Sequence, residues 1–174
     1  MRELVLGCGA LTVPLMTSDG RDAYVNATTV DINANHNPTL VFDLSEPSWP
    51  LDDETFEEVH AYEVLEHLGK QGDAHSFFAT FNEIWRVLKP EGVLFASVPH
   101  WKSEWAWGDP DHKRVITPGS LVFLNQAEYT QVGATPMSDY RYLYRADFET
   151  VYAKETEHRF LFALKAIKPS RWAP

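Results

Sequence analysis

The stretch Glu3-Leu4-Val5-Leu6-Gly7-Cys8-Gly9-Ala10 decides how the rest of the chain is read. Leu4, Val5 and Leu6 are three apolar residues in a row, the pattern of a short strand buried on both faces. Gly7 and Gly9 follow at once, and without a Cβ they let the backbone turn sharply and approach a ligand closely. Open α/β sheets bind ligands beyond the carboxyl ends of such strands. A second strand-like run, Thr28-Thr29-Val30, ends in Asp31, twenty-two positions after Gly9. An acidic residue about 20 residues past a glycine turn is where a ribose hydroxyl pair is held. Gly-x-Gly alone marks only a turn, but together with Asp31 it points to an adenosine-containing cofactor.

Composition narrows the class. The 174 residues suffice for one domain with a real core, and 44% hydrophobic content with 13% aromatic is globular rather than disordered. No apolar run is long enough to cross a bilayer and no signal-like segment precedes the first strand, so no membrane role is expected. A single cysteine, Cys8, makes no internal disulfide and suits a reducing cytoplasm. The formal net charge is −10, and Asp43 to Glu66 holds nine carboxylates without a Lys or Arg. Such a field opposes a broad phosphate-tracking surface, which disfavours nucleic acid as a partner.

Taken in order, the chain reads as a pared-down α/β sheet. Leu11 to Asn26 contains Pro14, Ser18, Asp19 and Gly20 and is poor helix material. Asp43 comes only twelve positions after Asp31, too few for a crossover helix and a strand, yet Leu40-Val41-Phe42 reads as a third strand. Phe56 to Tyr62 is the fourth. From Ala74 to Leu88 the residues Phe77, Phe78, Phe81, Ile84, Trp85 and Leu88 recur at helical spacing, with Pro90 and Gly92 as the stop. Val93 to Val98 is a buried fifth strand. Pro99 to Pro118 is irregular and rich in Trp, His and charge, and Thr117-Pro118 opens a short helix through Leu124. Phe148 to Lys154 and His158 to Ile167 form an antiparallel hairpin.

Five segments in this order carry a family resemblance: Leu6-Gly7-Cys8-Gly9, Asp31, Phe42-Asp43-Leu44, Val64-Leu65-Glu66-His67-Leu68 and Arg86-Val87-Leu88-Lys89-Pro90-Glu91-Gly92. The sequence resembles the class I S-adenosylmethionine-dependent methyltransferases of the methyltransferase type 11 group, over roughly Glu3 to Val98. The resemblance implies an α/β fold with a Rossmann-like, seven-stranded, mostly parallel sheet and a C-terminal antiparallel hairpin. It implies one domain over residues 1–174, with 99–147 as an insertion or lid over the acceptor site. S-adenosylmethionine is the implied cofactor. Gly7, Cys8 and Gly9 would meet its methionine part, Asp31 with neighbouring Ile32 its ribose, and Asp43 with Leu44 its adenine. Tyr62 and Glu63 would face the sulfonium and the amino acid tail. Asp31 and Asp43 are also ordinary strand-end turn formers, but two of them at matching strand ends beside Gly-x-Gly outweigh that reading.

The chain also departs from the group. Val5 stands where an acidic residue is usual, Leu11 replaces a third glycine, and no helix precedes the first strand. Such losses imply an open cofactor site or a partner that completes it. Gly108-Asp109-Pro110-Asp111-His112-Lys113-Arg114 with Thr117-Pro118 resembles a segment that type 11 members place over the acceptor. His100, His112 and Asp109 are the candidate bases, needed only where the acceptor must lose a proton. His112 serves equally well as a brace of this loop. Trp101, Trp105, Trp107 and Arg114 are candidate substrate contacts, and the three Trp residues could instead form a satellite core. No His-x-x-x-His, Cys/His cluster, phosphate loop or Gly-x-Ser-x-Gly elbow occurs, so no metal site is expected and nucleotidase and hydrolase chemistry lack their groups. Two readings follow: a methyltransferase acting on a small molecule or a limited protein site, with a homodimer as one possible assembly, and a non-catalytic or partner-dependent relative.

Overall fold

In the computed structural model, which describes residues 1–10 and 13–173, β1 (Glu3–Leu6) is buried at all four positions. The cause is a parallel neighbour on each side, β2 (Ala27–Asp31) and β4 (Phe56–Tyr62). β3 (Leu40–Val41) pairs parallel with β2, and β5 (Leu88–Pro99) with β4. The hairpin of β6 (Phe148–Glu155) and β7 (Arg159–Ala166) completes the sheet, β7 running antiparallel to β5. The order is β3-β2-β1-β4-β5-β7-β6, the seven-stranded, mostly parallel arrangement that the sequence implies. Between β2 and β3 the chain spends its few residues on a 3-10 turn, Ala34–His36, and reverses at Asn37, whose φ is 52°. No helix among the described residues is long and apolar enough to cross a membrane.

α1 (Ala74–Val87) covers one face. Asp73 caps it, its carboxylate accepting from the amides of His75 and Ser76, which satisfies donors the first turn leaves free. Phe78, Phe81, Ile84 and Val87 are buried in one core with Leu4, Leu6, Val59 and Ala61 of the central strands and Phe148, Phe160 and Phe162 of the hairpin. The end of α1 differs from expectation. Pro90 and Gly92 lie inside β5 rather than stopping the helix, because Leu88 already pairs with Phe56. The register then shifts between Phe56 and Glu58, and Glu91 takes a φ of 63°. A bulged strand start absorbs the two residues that read as terminators.

The other face has a different composition. Alternation along β1 and β4 turns Glu3, Glu58, His60 and Tyr62 away from α1, and all four are buried. Across the described part of the β1–β2 connection there is no helix; turns from residue 13 onward cover these groups instead. Arg21 makes the cover possible. Its guanidinium bridges Glu3 and reaches Glu58 at 2.6 Å, while the Glu3 carboxylate also accepts from the amide of Val25. The Tyr62 hydroxyl accepts from the amide of Met16 at 3.1 Å and donates to its carbonyl at 2.9 Å. Burial raises the Glu58 pKa, but hydrogen bonds from His60, Arg21 and Ser18 outweigh it and hold the group at about 2.

Arg21→Ala leaves two buried carboxylates without their cation, and should lower unfolding free energy by about 3–5 kcal/mol in urea titration. Because Glu58 is depressed when folded, its stabilising contribution is full above its ordinary value of 4.5 and is lost as pH falls toward about 2. Stability measured across that window should therefore fall with acid in the native chain and fall less steeply in Arg21→Ala.

Candidate active site

The carboxyl ends of β1, β2 and β3 open into a cleft of about 320 Å³, at the lower end of the range for small-molecule sites. Gly7 and Asp31 line it with Ile32, Phe42, Asp43 and Leu44, so the sequence-predicted cofactor residues from three separate strand ends meet. Gly7 has a φ of 56°, and a Cβ there would lie 2.4 Å from Val64 Cγ2. Gly9, at φ 48°, has no described atom within 4 Å of its would-be Cβ. The turn aims the Gly9 amide at Asp31 Oδ2, 2.8 Å away. Asp31 Oδ1 accepts from the amide of Asn33, and His36 Nδ1 lies 3.1 Å from Oδ2. Burial raises the Asp31 pKa, but these amides and His36 more than reverse it, so the carboxylate stays ionised and available as an acceptor.

Cys8 takes part through its backbone. Its amide donates to the Val30 carbonyl at 3.0 Å, its side chain is buried, and burial followed by the charge of Asp31 raises the thiol pKa. Asp43 accepts from the amide of Ser45 through Oδ1 at 2.8 Å and lines the cleft. Ile32 is 67% exposed and offers an apolar wall there. Tyr62 is placed differently from expectation: its ring packs with Phe95 and Ala163 on the far face of the sheet. Glu63 does stand at the strand end, at φ 54°, with Ser97 Oγ donating to it at 2.6 Å and Arg159 Nε 3.5 Å away. Leu11 lies outside the described residues.

The expected acceptor-side residues divide. The segment from Asp109 to Arg114 lies against the turn after β4, where the amides of Lys113 and Arg114 both donate to the Glu66 carbonyl. His112 Nε2 faces Glu66 Oε1 at 3.9 Å and Asp109 Oδ2 at 3.8 Å, and its ring meets that of His67 edge-on. Burial, with Glu63 and Asp109 adding repulsion, pushes Glu66 up to about 8. Arg114 is a brace: its Nε donates to the Leu68 carbonyl and its Nη2 to Lys70, Asp73 and Ser76. His100 is buried, with Nε2 3.0 Å from Glu155 and Nδ1 accepting from the amide of Lys102. Trp101, Trp105 and Trp107 are 40%, 60% and 69% exposed, so they form no satellite core, and none lines the cleft.

Sequence reasoning overlooked Val64, His67, Asp111 and Lys113 as cleft residues. The 3-10 turn Leu65–His67 shows no periodicity, and nothing in a linear reading joins it to residue 111. The Val64 to Leu68 motif carries the family resemblance, but nothing in it says which of its side chains face the cleft.

The model of a methyltransferase domain matches residues 4–96, more than half of the chain. Solved structures share the fold at low identity. A SAM-dependent methyltransferase from Archaeoglobus fulgidus is 18% identical, with 94% of this chain and 85% of that one covered and a TM-score of 0.57. One from Aquifex aeolicus is 14% identical, covering 96% and 82%, also at 0.57. A putative methyltransferase of Haloferax volcanii, solved in complex with the Trm112 methyltransferase activator, is 14% identical, covering 95% and 82% at 0.58. Among proteins of curated function, none matches. The chain belongs to this methyltransferase family, and the resemblance read from its sequence implies S-adenosylmethionine as cofactor. The cleft fits that molecule: two carboxylates on adjacent strand ends suit a ribose and an adenine amino group, and the Gly7 to Gly9 backbone leaves room beside them.

The two glycines should separate in mutagenesis. Gly7→Ala adds a collision with Val64 to the positive φ and should destabilise the chain by more than the roughly 1–3 kcal/mol of backbone strain alone, whereas Gly9→Ala carries only that strain. Denaturant titration of the pair checks the order.

Proposed function

We propose that the chain is an active methyltransferase that moves the methyl group of S-adenosylmethionine to a small molecule or to a limited site on a protein. The observation that carries this reading is the meeting of Asp31 and Asp43 with the Gly7 turn around one cleft. In this reading the ionised Asp31 accepts the ribose hydroxyls, Asp43 and the Leu44 amide meet the adenine edge, and Glu63 faces the amino acid tail. Methyl transfer is an in-line displacement, so holding donor and acceptor in register supplies much of the rate. A base is required only for acceptors that lose a proton. Asp109, with a side chain 43% exposed on the segment beside the cleft, is the group placed for that task. His100 has both ring nitrogens engaged, and the three Trp residues are better suited to a surface contact than to lining the cofactor cleft.

A partner-dependent enzyme is the second reading, favoured by one feature. Between the turn at Leu15 to Arg21 and the hairpin, the far face of the sheet holds a cavity of about 530 Å³ bordered by Met16, Phe95, Tyr152 and Ala163. That apolar face is suited to a covering subunit, and the Haloferax volcanii structure is that of a methyltransferase with an activator. A shared fold does not fix the reaction, since the [4+2]-cyclase SpnF also has it, at 14% identity and a TM-score of 0.57, with 95% of this chain and 75% of that one covered.

Calorimetric titration should show micromolar binding of S-adenosylmethionine and S-adenosylhomocysteine and none of NAD. Asp31→Ala should weaken it by about 10–100-fold, the worth of a charged hydrogen bond at a buried acceptor. Binding that is unaltered by the substitution would remove the assignment. Cofactor binding without turnover over a broad acceptor screen would favour the partner-dependent reading.

A further inference from the structure

Two clusters of titratable side chains have the spacing to hold a cation, and their surroundings differ. Glu3, Glu58 and His60 form one, but the Arg21 guanidinium already neutralises both carboxylates there. Glu66, His67 and His112 form the other, with one ligating atom from each lying within 4.8 Å of the rest. No Lys or Arg side chain among the described residues is paired with Glu66. The Lys113 ammonium turns to Asp111 at 3.8 Å, and the Arg114 guanidinium is spent on Leu68, Lys70, Asp73 and Ser76.

Glu66 is 2% exposed, and its Oε2 has no hydrogen-bond partner among the described residues; His112 Nδ1 is likewise buried and unpaired. Buried polar atoms are almost always satisfied, so the orphaned carboxylate oxygen of Glu66 beside two imidazoles points to a missing ligand. The remaining contacts support this. His112 Nε2 faces Glu66 Oε1 at 3.9 Å and Asp109 Oδ2 at 3.8 Å, both too long for hydrogen bonds. Ligands on a tetrahedral zinc ion stand about 3.4 Å apart, so His112 and Glu66 need to close by only about half an ångström. His67 Nδ1 lies 3.1 Å from Asp111 Oδ2, and a proton donated there leaves Nε2 as the ligating nitrogen. A carboxylate behind a histidine in this manner fixes the ring and its tautomer at many metal centres.

We infer that Glu66, His67 and His112 bind a divalent transition-metal ion of the zinc type, with Asp111 orienting His67. Two imidazoles with carboxylate suit zinc, cobalt or nickel rather than magnesium or calcium, which require oxygen-rich shells. Of the two imidazoles His67 has the more room to turn, its side chain being 30% exposed against 8% for His112. His112 is then a ligand rather than a base. Because His67 and Asp111 also line the cofactor cleft, the ion would stand at its wall.

The test is a zinc titration of chelator-stripped protein against a chromophoric chelator, with no cofactor or acceptor present, so it stands apart from methyl transfer. The native chain should bind one zinc ion, and cobalt should give the visible absorption of a tetrahedral site. His67→Ala and His112→Ala should each weaken binding at least ten-fold, while His75→Ala, an exposed histidine on α1, should not. Should His112→Ala fail to fold, His67→Ala decides, since it leaves buried Glu66 and His112 in place. Absence of stoichiometric zinc binding, equal affinity in the native chain and His67→Ala, or preferential binding of magnesium would each overturn the inference.

Discussion

Two carboxylates, Glu3 and Glu58, are carried on neighbouring central strands into a buried face, and one guanidinium makes that arrangement tolerable. A charge withdrawn from water without a partner is strongly unfavourable, so Arg21 has little freedom to be elsewhere. Its position dictates the path of the turns from residue 13 to 26. The Tyr62 hydroxyl fastens the same turns at Met16. Electrostatics and two hydrogen bonds here do what an amphipathic helix does by apolar burial. The alternation that sends Leu4 and Leu6 into the main core is the same alternation that sends Glu3 to Arg21.

The cofactor cleft inherits its geometry from this frame. With β1 and β2 held in register from Glu3 against Ala27 to Leu6 against Val30, the chain leaving Leu6 meets the chain leaving Val30. The Cys8 amide continues the pairing at Val30, and the Gly9 amide reaches Asp31 one position on. Asp31 is thus part of the turn's own hydrogen bonding and at the same time a wall of the cleft. Val64 occupies the space that a side chain at Gly7 would need, which ties the glycine turn to the exit of β4.

Much of the frame was legible in the sequence because burial on both faces writes itself as unbroken apolar runs, and α1 as intervals of three and four. Asp31 and Asp43 were legible because strand ends in an open α/β sheet converge on one edge, so linear spacing becomes spatial proximity. The start of β5 was not, since a left-handed φ at Glu91, a non-glycine, has no sequence signature. Nor was the fate of Arg114, whose partners are mainly backbone carbonyls of Leu68, Lys70 and Asp73. The neighbourhood of Glu66 and His112 depends on a loop returning across many residues, and aromatic clustering at Trp101 to Trp107 reads the same whether the rings are inside or out.

The amides of Lys113 and Arg114 share a single acceptor, the carbonyl of Glu66, while Arg114 reaches onward to the carbonyls of three residues in the stretch before α1. A segment stitched in this way is a fixed wall and not a hinged flap. Traffic in and out of the cleft is then left to the opposite rim, where Ile32 stands largely in solvent. On such a stationary wall, side-chain replacement reshapes the cleft without moving its backbone. Because this tie joins main-chain amides to a main-chain carbonyl, the side chains at positions 66 and 113 can change without releasing the wall.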